Sequence, residues 1–367
     1  MRLSSDPAAR RRLGLLAGAA ALALAAGIAV GGDEQGSTPG RERPAQGAGA
    51  LRAAVDRLSL RQQVGQLTIS SFPGGRPPAY VRRRLRAGET AGVILFGFNA
   101  GAPEQWQRLT RALQRNARNG ALVMADQEGG DVRTVGWAGP VNGQPLQGTP
   151  AQVRDSARAA ALQLRAAGVN VNLAPVADTP GAVMQTRAFA GAVAASTKAA
   201  IAGMWSARLA ATAKHFPGLG RADANTDDAM ATSSPELGPF RAAIGADVPL
   251  VMLSHALYPG LDADRIASQS PRIATELLRD ELGYEGVAIT DSLEAQAVLD
   301  RSGVADAAER SVRAGADLIL MTGSASWNEV FPRLLERART SPKFRERVRR
   351  SAARVLALKR RLGLALP

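Results

Sequence analysis

The chain has 367 residues, 46% of them hydrophobic and 21% charged, with a formal net charge of +14 at neutral pH. That balance excludes bulk disorder, and a single long apolar run excludes a polytopic membrane protein. There are no cysteines and only two histidines, which excludes disulfides, thiolate zinc sites, iron–sulfur clusters, a catalytic thiol, a lipoprotein anchor and any three-histidine metal site.

Residues 1–12 carry four arginines, three of them adjacent at Arg10, Arg11 and Arg12, and no charge follows from Leu13 to Gly32. A basic start before an apolar run reads as an export signal over residues 1–32. The run is also long enough to cross a bilayer, so a cleaved signal peptide and a retained anchor through residues 13–32 both fit. The string Arg10-Arg11-Arg12-Leu13-Gly14-Leu15 loosely resembles a twin-arginine signal. Residues 33–50 are Gly, Pro and polar residues without periodicity, the composition of a flexible tether. This leaves one folded domain over residues 51–367.

Within it, short apolar runs alternate with longer amphipathic stretches. The runs are Val64–Ile69, Gly92–Phe96, Leu122–Ala125, Val169–Ala174, Thr212–His215, Leu250–Ser254, Gly286–Thr290 and Asp317–Met321. The helical stretches include Pro103–Ala117, Thr149–Ala167, Ala194–Ala210, Pro235–Ile244 and Ile273–Leu282. Nearly continuous apolar strands separated by helices predict an α/β fold with parallel strands buried on both faces. A (β/α)₈ barrel is the simplest closure, and a doubly wound open sheet is the alternative. No Gly-x-Gly-x-x-Gly turn follows the first run, which weakens a dinucleotide reading.

Polar residues fall in phase with the strand ends: Asp126 after the third run, Asn172 and Asp178 with the fourth, Lys214 and His215 ending the fifth, His255 after the sixth, Asp291 after the seventh. In a barrel these ends converge on one face, where barrel active sites lie. The segment Lys214-His215-Phe216-Pro217-Gly218 offers two polar heads on a rigid loop, although an isolated pair also describes a core histidine beside a surface lysine. Asp126-Gln127-Glu128-Gly129-Gly130 places carboxylates before a glycine turn, and Thr290-Asp291-Ser292 sets one directly after a buried strand. These read equally as a turn and a helix N-cap when taken alone. Arg187 adds a guanidinium on the loop after the fourth strand.

Together these residues resemble glycoside hydrolase family 3, in particular its single-domain bacterial β-N-acetylglucosaminidases. The likeness runs from about Leu58 to the end and includes GVNVNLAPVADTPG, VMLSHALYPGLD, LLRDELGYEGVAITDSL and AGADLILM. The resemblance implies a (β/α)₈ barrel with Asp291 as catalytic nucleophile. It further implies that Asp126, Arg187, Lys214 and His215 hold the non-reducing sugar, with His255 in a matched strand-end motif assigned to substrate binding. The implied chemistry is a retaining double displacement through a covalent glycosyl-enzyme.

The acid/base loop departs from the family pattern, in which a histidine pairs with an aspartate two residues earlier. Here the loop reads Gly220-Arg221-Ala222-Asp223-Ala224-Asn225-Thr226-Asp227-Asp228, so Asn225 replaces the aspartate, Asp227 the histidine, and Leu219 a second loop histidine. Asp227 is the candidate acid/base, with Asp228 expected to raise its proton affinity by like-charge repulsion. The other readings of this loop are a non-catalytic sugar-binding barrel, altered leaving-group chemistry, or a helix N-cap in Asn225–Asp228. The β-glucosidase branch of the family fits less well, because Ser292 stands where those proteins usually have Trp and no residues remain for a second domain.

Residues 331–367 hold twelve Lys/Arg against two acidic residues. Phe331, Leu334, Leu335, Val348, Val355, Leu356 and Leu358 lie among these arginines, predicting terminal amphipathic helices that close the barrel. No nucleic-acid module accompanies the charge. The expectation is therefore an exported monomeric glycosidase for terminal β-linked N-acetylhexosamine, with cell-wall fragments as a candidate source. It has a carbohydrate as its partner, no organic cofactor, no metal and no nucleic acid.

Overall fold

A computed structural model describes residues 44–367. The expected export signal, residues 1–32, and most of the expected tether lie outside the described residues. The end of that tether is helical, for α1 spans Pro44–Asp56, seven residues ahead of the expected domain start. Ser59 then caps α2 (Leu60–Gly65) reciprocally: Gln62 N donates to Ser59 Oγ at 3.3 Å and Ser59 N to Gln62 Oε1 at 3.0 Å. That box commits Val64 and Gly65, the first two residues of the run Val64–Ile69, to helix, and β1 is only Thr68–Ser70.

The other barrel strands are β2 (Gly92–Ile94), β3 (Leu122–Ala125), β4 (Val171–Asn172), β5 (Ala210–Phe216), β6 (Leu250–Leu253), β7 (Val287–Thr290) and β8 (Ile319–Leu320). All pair in parallel in the order β8-β1-β2-β3-β4-β5-β6-β7. A parallel bridge between Ile289 and Leu318 joins the two ends, giving the (β/α)₈ barrel and not the open sheet. The crossovers are α3 (Ala79–Ala87), α4 (Pro103–Asn116), α5 (Pro150–Ala167), α6 (Val193–Ser206), α7 (Gly238–Gly245), a π-helical segment Arg272–Glu281, a short α8 (Gln296–Leu299) with α9 (Val304–Ala314), and α10 (Trp327–Thr340). Helix α6 stops four residues before the expected Ala210: Arg208 sits at φ 56, in the left-handed region, and the chain turns directly into β5.

Strand side chains alternate between two cores, as the period of two requires. Leu122, Met124, Leu250, Met252, Val287 and Ile289 fill the barrel interior, while Val123, Val251 and Ala288 pack against the helices. Helix α11 (Pro342–Arg361) closes the floor: Val355, Leu358 and the following Leu362 pack on the interior cluster. Gly92 is required by closeness, because a Cβ there would lie 1.9 Å from the Leu122 carbonyl oxygen.

Candidate active site

A cavity of about 640 Å³ opens at the carboxyl ends of the strands. Asp126, Arg187, Lys214, His215, Asp227 and Asp291 all line it, so five widely separated stretches of chain meet there. Asp126 follows β3, Lys214 and His215 lie within β5, Asp291 follows β7, and Arg187 and Asp227 stand on the loops after β4 and β5.

Lys214 is almost wholly buried, and its Nζ lies 2.7 Å from both Asp126 Oδ1 and Glu128 Oε1. Arg187 grips Glu128 with both ends of its fork, Nε to Oε2 at 2.9 Å and Nη2 to Oε1 at 2.8 Å. Burial would raise the Glu128 carboxyl, but Lys214 and Arg187 overcome it and bring it down to about 2. The same pairing outweighs burial at the two cations, whose proton affinities are raised. Glu128 is thus the hub that orients both cations, and sequence reasoning passed over it in favour of Asp126. Its signal was spacing: Asp126 and Glu128 are two residues apart in extended chain, hence on one face. Asp126 Oδ2 takes no hydrogen bond among the described residues and remains available to a ligand hydroxyl.

His215 is held from behind. Its Nδ1 lies 2.7 Å from Asp178 Oδ2, its backbone N–H donates to both Asp178 oxygens at 3.1 Å, and Leu219 N donates to Oδ1 at 2.7 Å. The fully buried Asp178 carboxylate therefore fixes the ring, leaving Nε2 toward the cavity, 3.7 Å from Asp291 Oδ2. Asp291 keeps one-fifth of its side chain exposed and accepts from Ser292 N at 2.8 Å. Burial pushes its carboxyl up, yet His215, His255 and Lys214 together hold it below the ordinary aspartate range.

His255 is not among the residues that line the cavity. It is wholly buried; Nδ1 bonds Ser268 Oγ at 2.8 Å and Nε2 bonds the Ser292 carbonyl at 2.9 Å. Burial lowers its proton affinity, and the ring braces the loop that carries Asp291 through the Ser292 carbonyl. Glu294, also unforeseen, lines the cavity and accepts from Thr322 N at 2.9 Å and Ser292 Oγ at 3.0 Å, joining the loops after β7 and β8.

Asp227 stands on the rim in a turn, not at a helix N-cap. Asn225 Oδ1 accepts from Asp227 N at 3.2 Å, and Asn225 Nδ2 donates to Asp228 Oδ2 at 3.1 Å. Desolvation first and the charge of Asp291 second raise the Asp227 carboxyl, against the pull of His215 and Arg187. Because Asp227 is an exposed residue, the Asp291 charge is the cause that persists when water reaches it. Asp228, expected to supply that repulsion, is instead turned onto Asn225. Leu219 lines the cavity as an apolar wall.

Among the described residues no cluster of His, Cys, Asp or Glu is arranged to hold a metal ion, and no helix is long and apolar enough to cross a membrane. The arrangement presents paired carboxyls, fixed cations and a constrained imidazole to a ligand rich in hydroxyl groups.

Comparison with known proteins agrees. The Glycosyl hydrolase family 3 N terminal domain matches residues 59–358, a span holding all eight strands. A β-hexosaminidase of Stenotrophomonas maltophilia strain K279a is 34% identical over 279 residues, 70% of this chain and 83% of that protein. An uncharacterized secreted glycosyl hydrolase of Arthroderma benhamiae is 32% identical over 346 residues, 86% of this chain and 97% of that protein. Among solved structures, a family 3 β-N-acetylglucosaminidase from Paenibacillus sp. str. FPU-7 superposes with a TM-score of 0.79 at 34% identity. That match covers 83% of this chain and 63% of the Paenibacillus chain. The β-N-acetylhexosaminidase of Beutenbergia cavernae DSM 12333 gives 0.76 at 30% identity, covering 82% of this chain and 98% of that one. A barrel with this motif order, matched along its full sheet, belongs to glycosyl hydrolase family 3.

Proposed function

We propose that the chain is a retaining β-N-acetylhexosaminidase. Asp291 attacks the anomeric carbon of a terminal N-acetylhexosamine while Asp227 protonates the departing glycosidic oxygen, forming a glycosyl ester on Asp291. Asp227 then takes a proton from water, whose oxygen attacks the same carbon and frees Asp291. Asp126, Lys214, Arg187 and His215 hold the sugar hydroxyls, and the fixed charges of Lys214 and Arg187 spare the site reorganisation on binding. The supporting observation is that two carboxyls on one cavity are pushed in opposite directions, Asp291 toward the ionised nucleophile and Asp227 toward the protonated acid. The names of the Stenotrophomonas, Paenibacillus and Beutenbergia relatives support the choice of sugar. The basic and apolar segment over residues 1–32, with a relative named as secreted, supports action outside the cytoplasm.

The test is release of nitrophenol from 4-nitrophenyl N-acetyl-β-D-glucosaminide. Asp291→Asn is expected to abolish turnover with the melting temperature retained, and the first sugar product is expected to be the β-anomer by NMR. Wild-type turnover by Asp291→Asn, or an α-anomer released first, refutes the assignment. Wild-type protein that binds N-acetylglucosamine without turning over any aryl glycoside is the sugar-binding alternative.

A further inference from the structure

We propose that a second, strongly basic groove on the flank of the barrel binds the phosphate group of an anionic ligand. The groove has a volume of about 520 Å³ and lies between the π-helical segment, the end of α9 and the N-terminal half of α11. It shares no lining residue with the sugar cavity.

Cations outnumber carboxylates along it, with seven Lys/Arg against Glu276 and Asp280 on the lining. The buried Asp317 serves Arg279, Arg347 and Arg354 at once. Glu309 serves Arg313, Arg333 and Arg337, with Asp306 a second partner for Arg333. One carboxylate cannot neutralise three guanidiniums, so positive charge remains on side chains whose positions are already fixed. Arg337 Nε faces Glu309 Oε1 at 3.3 Å, outside hydrogen-bond geometry. Lys343 has no ion pair among the described residues, and Arg350 reaches only Glu346, at 4.0 Å. Of the two carboxylates on the lining, Glu276 already faces Arg272 at 3.3 Å.

The start of α11 adds to this field. Ser341 caps it, accepting from Phe344 N at 3.3 Å, and Ser341, Lys343 and Phe344 line the groove. The first turn of α11 has no acidic residue and carries Lys343. The positive helix end is left open to an anion. Guanidinium forks in excess, around a space larger than one phosphate, suit a tetrahedral oxyanion within a phosphate ester or diphosphate. Phe344 is the sole aromatic side chain on the lining and is buried, so stacked nucleic-acid bases have no platform.

The experiment titrates inorganic pyrophosphate, and separately glycerol 1-phosphate, into the full chain by calorimetry at low salt. Saturable binding is expected, weakened about tenfold or more in Lys343→Gln/Arg350→Gln and by added salt. The charge-preserving Lys343→Arg/Arg350→Lys is expected to retain it. Both positions are exposed, so each pair is expected to melt as wild type, with aryl-glycoside turnover unchanged. Flotation with vesicles containing phosphatidylglycerol separates the sources. Binding in solution assigns a free phosphate ester. Vesicle binding alone, lost in the Gln pair, assigns a headgroup. No saturable binding to any of the three probes, or binding that the Gln pair leaves intact, overturns the proposal.

Discussion

Glu128→Gln tests whether the sugar cavity is built around its central carboxylate. The native carboxyl is depressed from 4.5 to about 2, and at about 1.4 kcal/mol per unit the ionised group contributes about 3 kcal/mol to stability. A depressed carboxyl stabilises fully above its unfolded value and loses that contribution as pH falls through the folded one. The substitution keeps the shape but sets an amide N–H₂ against the donors of Lys214 or Arg187, leaving a buried cation short of a partner. The expected result is a loss of about 3 kcal/mol in urea unfolding at pH 7, shrinking as pH falls from 4.5 toward 2. With both cations free to shift, kcat/KM on the aryl glycoside is expected to fall about 100-fold. Equal stability of variant and wild type at pH 7, or a deficit that stays constant down to pH 2, refutes the hub assignment.

Lys359 is buried against the barrel floor with Gln66 Oε1 as its partner at 2.8 Å, and burial lowers its ammonium to about 7. Between pH 7 and 10.5 the unfolded chain binds the extra proton, so stability rises with pH. Lys359→Met is expected to stabilise by about 3 kcal/mol at pH 7 after losing its hydrogen bond, and to destabilise by about 1 above pH 10.5. A pH-independent difference in Tm contradicts this. Asp178→Asn replaces an acceptor of three N–H bonds by a group that must also donate; the expected cost is about 2 kcal/mol in denaturant unfolding, with a lower kcat/KM as His215 loosens. The pH profile of kcat/KM is expected to be bell-shaped. Activity falls on the acid side as the depressed Asp291 takes a proton and on the alkaline side as the raised Asp227 loses one. Asp227→Asn is expected to remove the alkaline limb for substrates with a good leaving group; a retained limb assigns that titration elsewhere.

The barrel was legible because parallel strands buried on both sides leave continuous apolar runs, as in Leu250–Leu253 and Val287–Thr290. The phase of polar residues at the ends of those runs located the face of the cavity and brought Asp126, Lys214, His215 and Asp291 together on paper. The short β1 was misplaced because Val64 is as apolar in a capped helix as in a strand; the Ser59–Gln62 pair was the cue that it belongs to α2. The partners of His255 were hidden for a different reason. Its direction is fixed by Ser268 and the Ser292 carbonyl, far off in sequence, and nothing local to Ser254-His255-Ala256 reveals them. Likewise the buried role of Asp178 depends on the backbone of His215 and Leu219 folding over it. Side-chain types and phase are written locally, whereas orientation is set by contacts that only closure of the barrel creates.

The rim loop is positioned by backbone contacts that do not depend on the side chain at residue 227. The carbonyls of Thr226 and Asp227 accept the N–H groups of Ala297 and Gln296, the opening residues of α8, at 3.1 and 3.2 Å. Those donors have no partner within their own short helix. The loop is thus seated by its backbone on the element that follows Asp291, and the Asp227 side chain takes no part in holding it. Residue 227 and residue 291 are therefore spaced through one stretch of chain, Ser292 to Ala297, which His255 and Glu294 both brace at Ser292. On the proposed reading, exchange of a histidine for an aspartate at position 227 alters which proton donor faces the glycosidic oxygen and leaves its distance from the nucleophile to the backbone. A carboxyl so placed needs a nearby negative charge to keep its proton, and Asp291, the group it must serve, supplies it. Formation of the glycosyl ester neutralises Asp291, so the Asp227 carboxyl is released from that repulsion at the moment it must turn from acid to base.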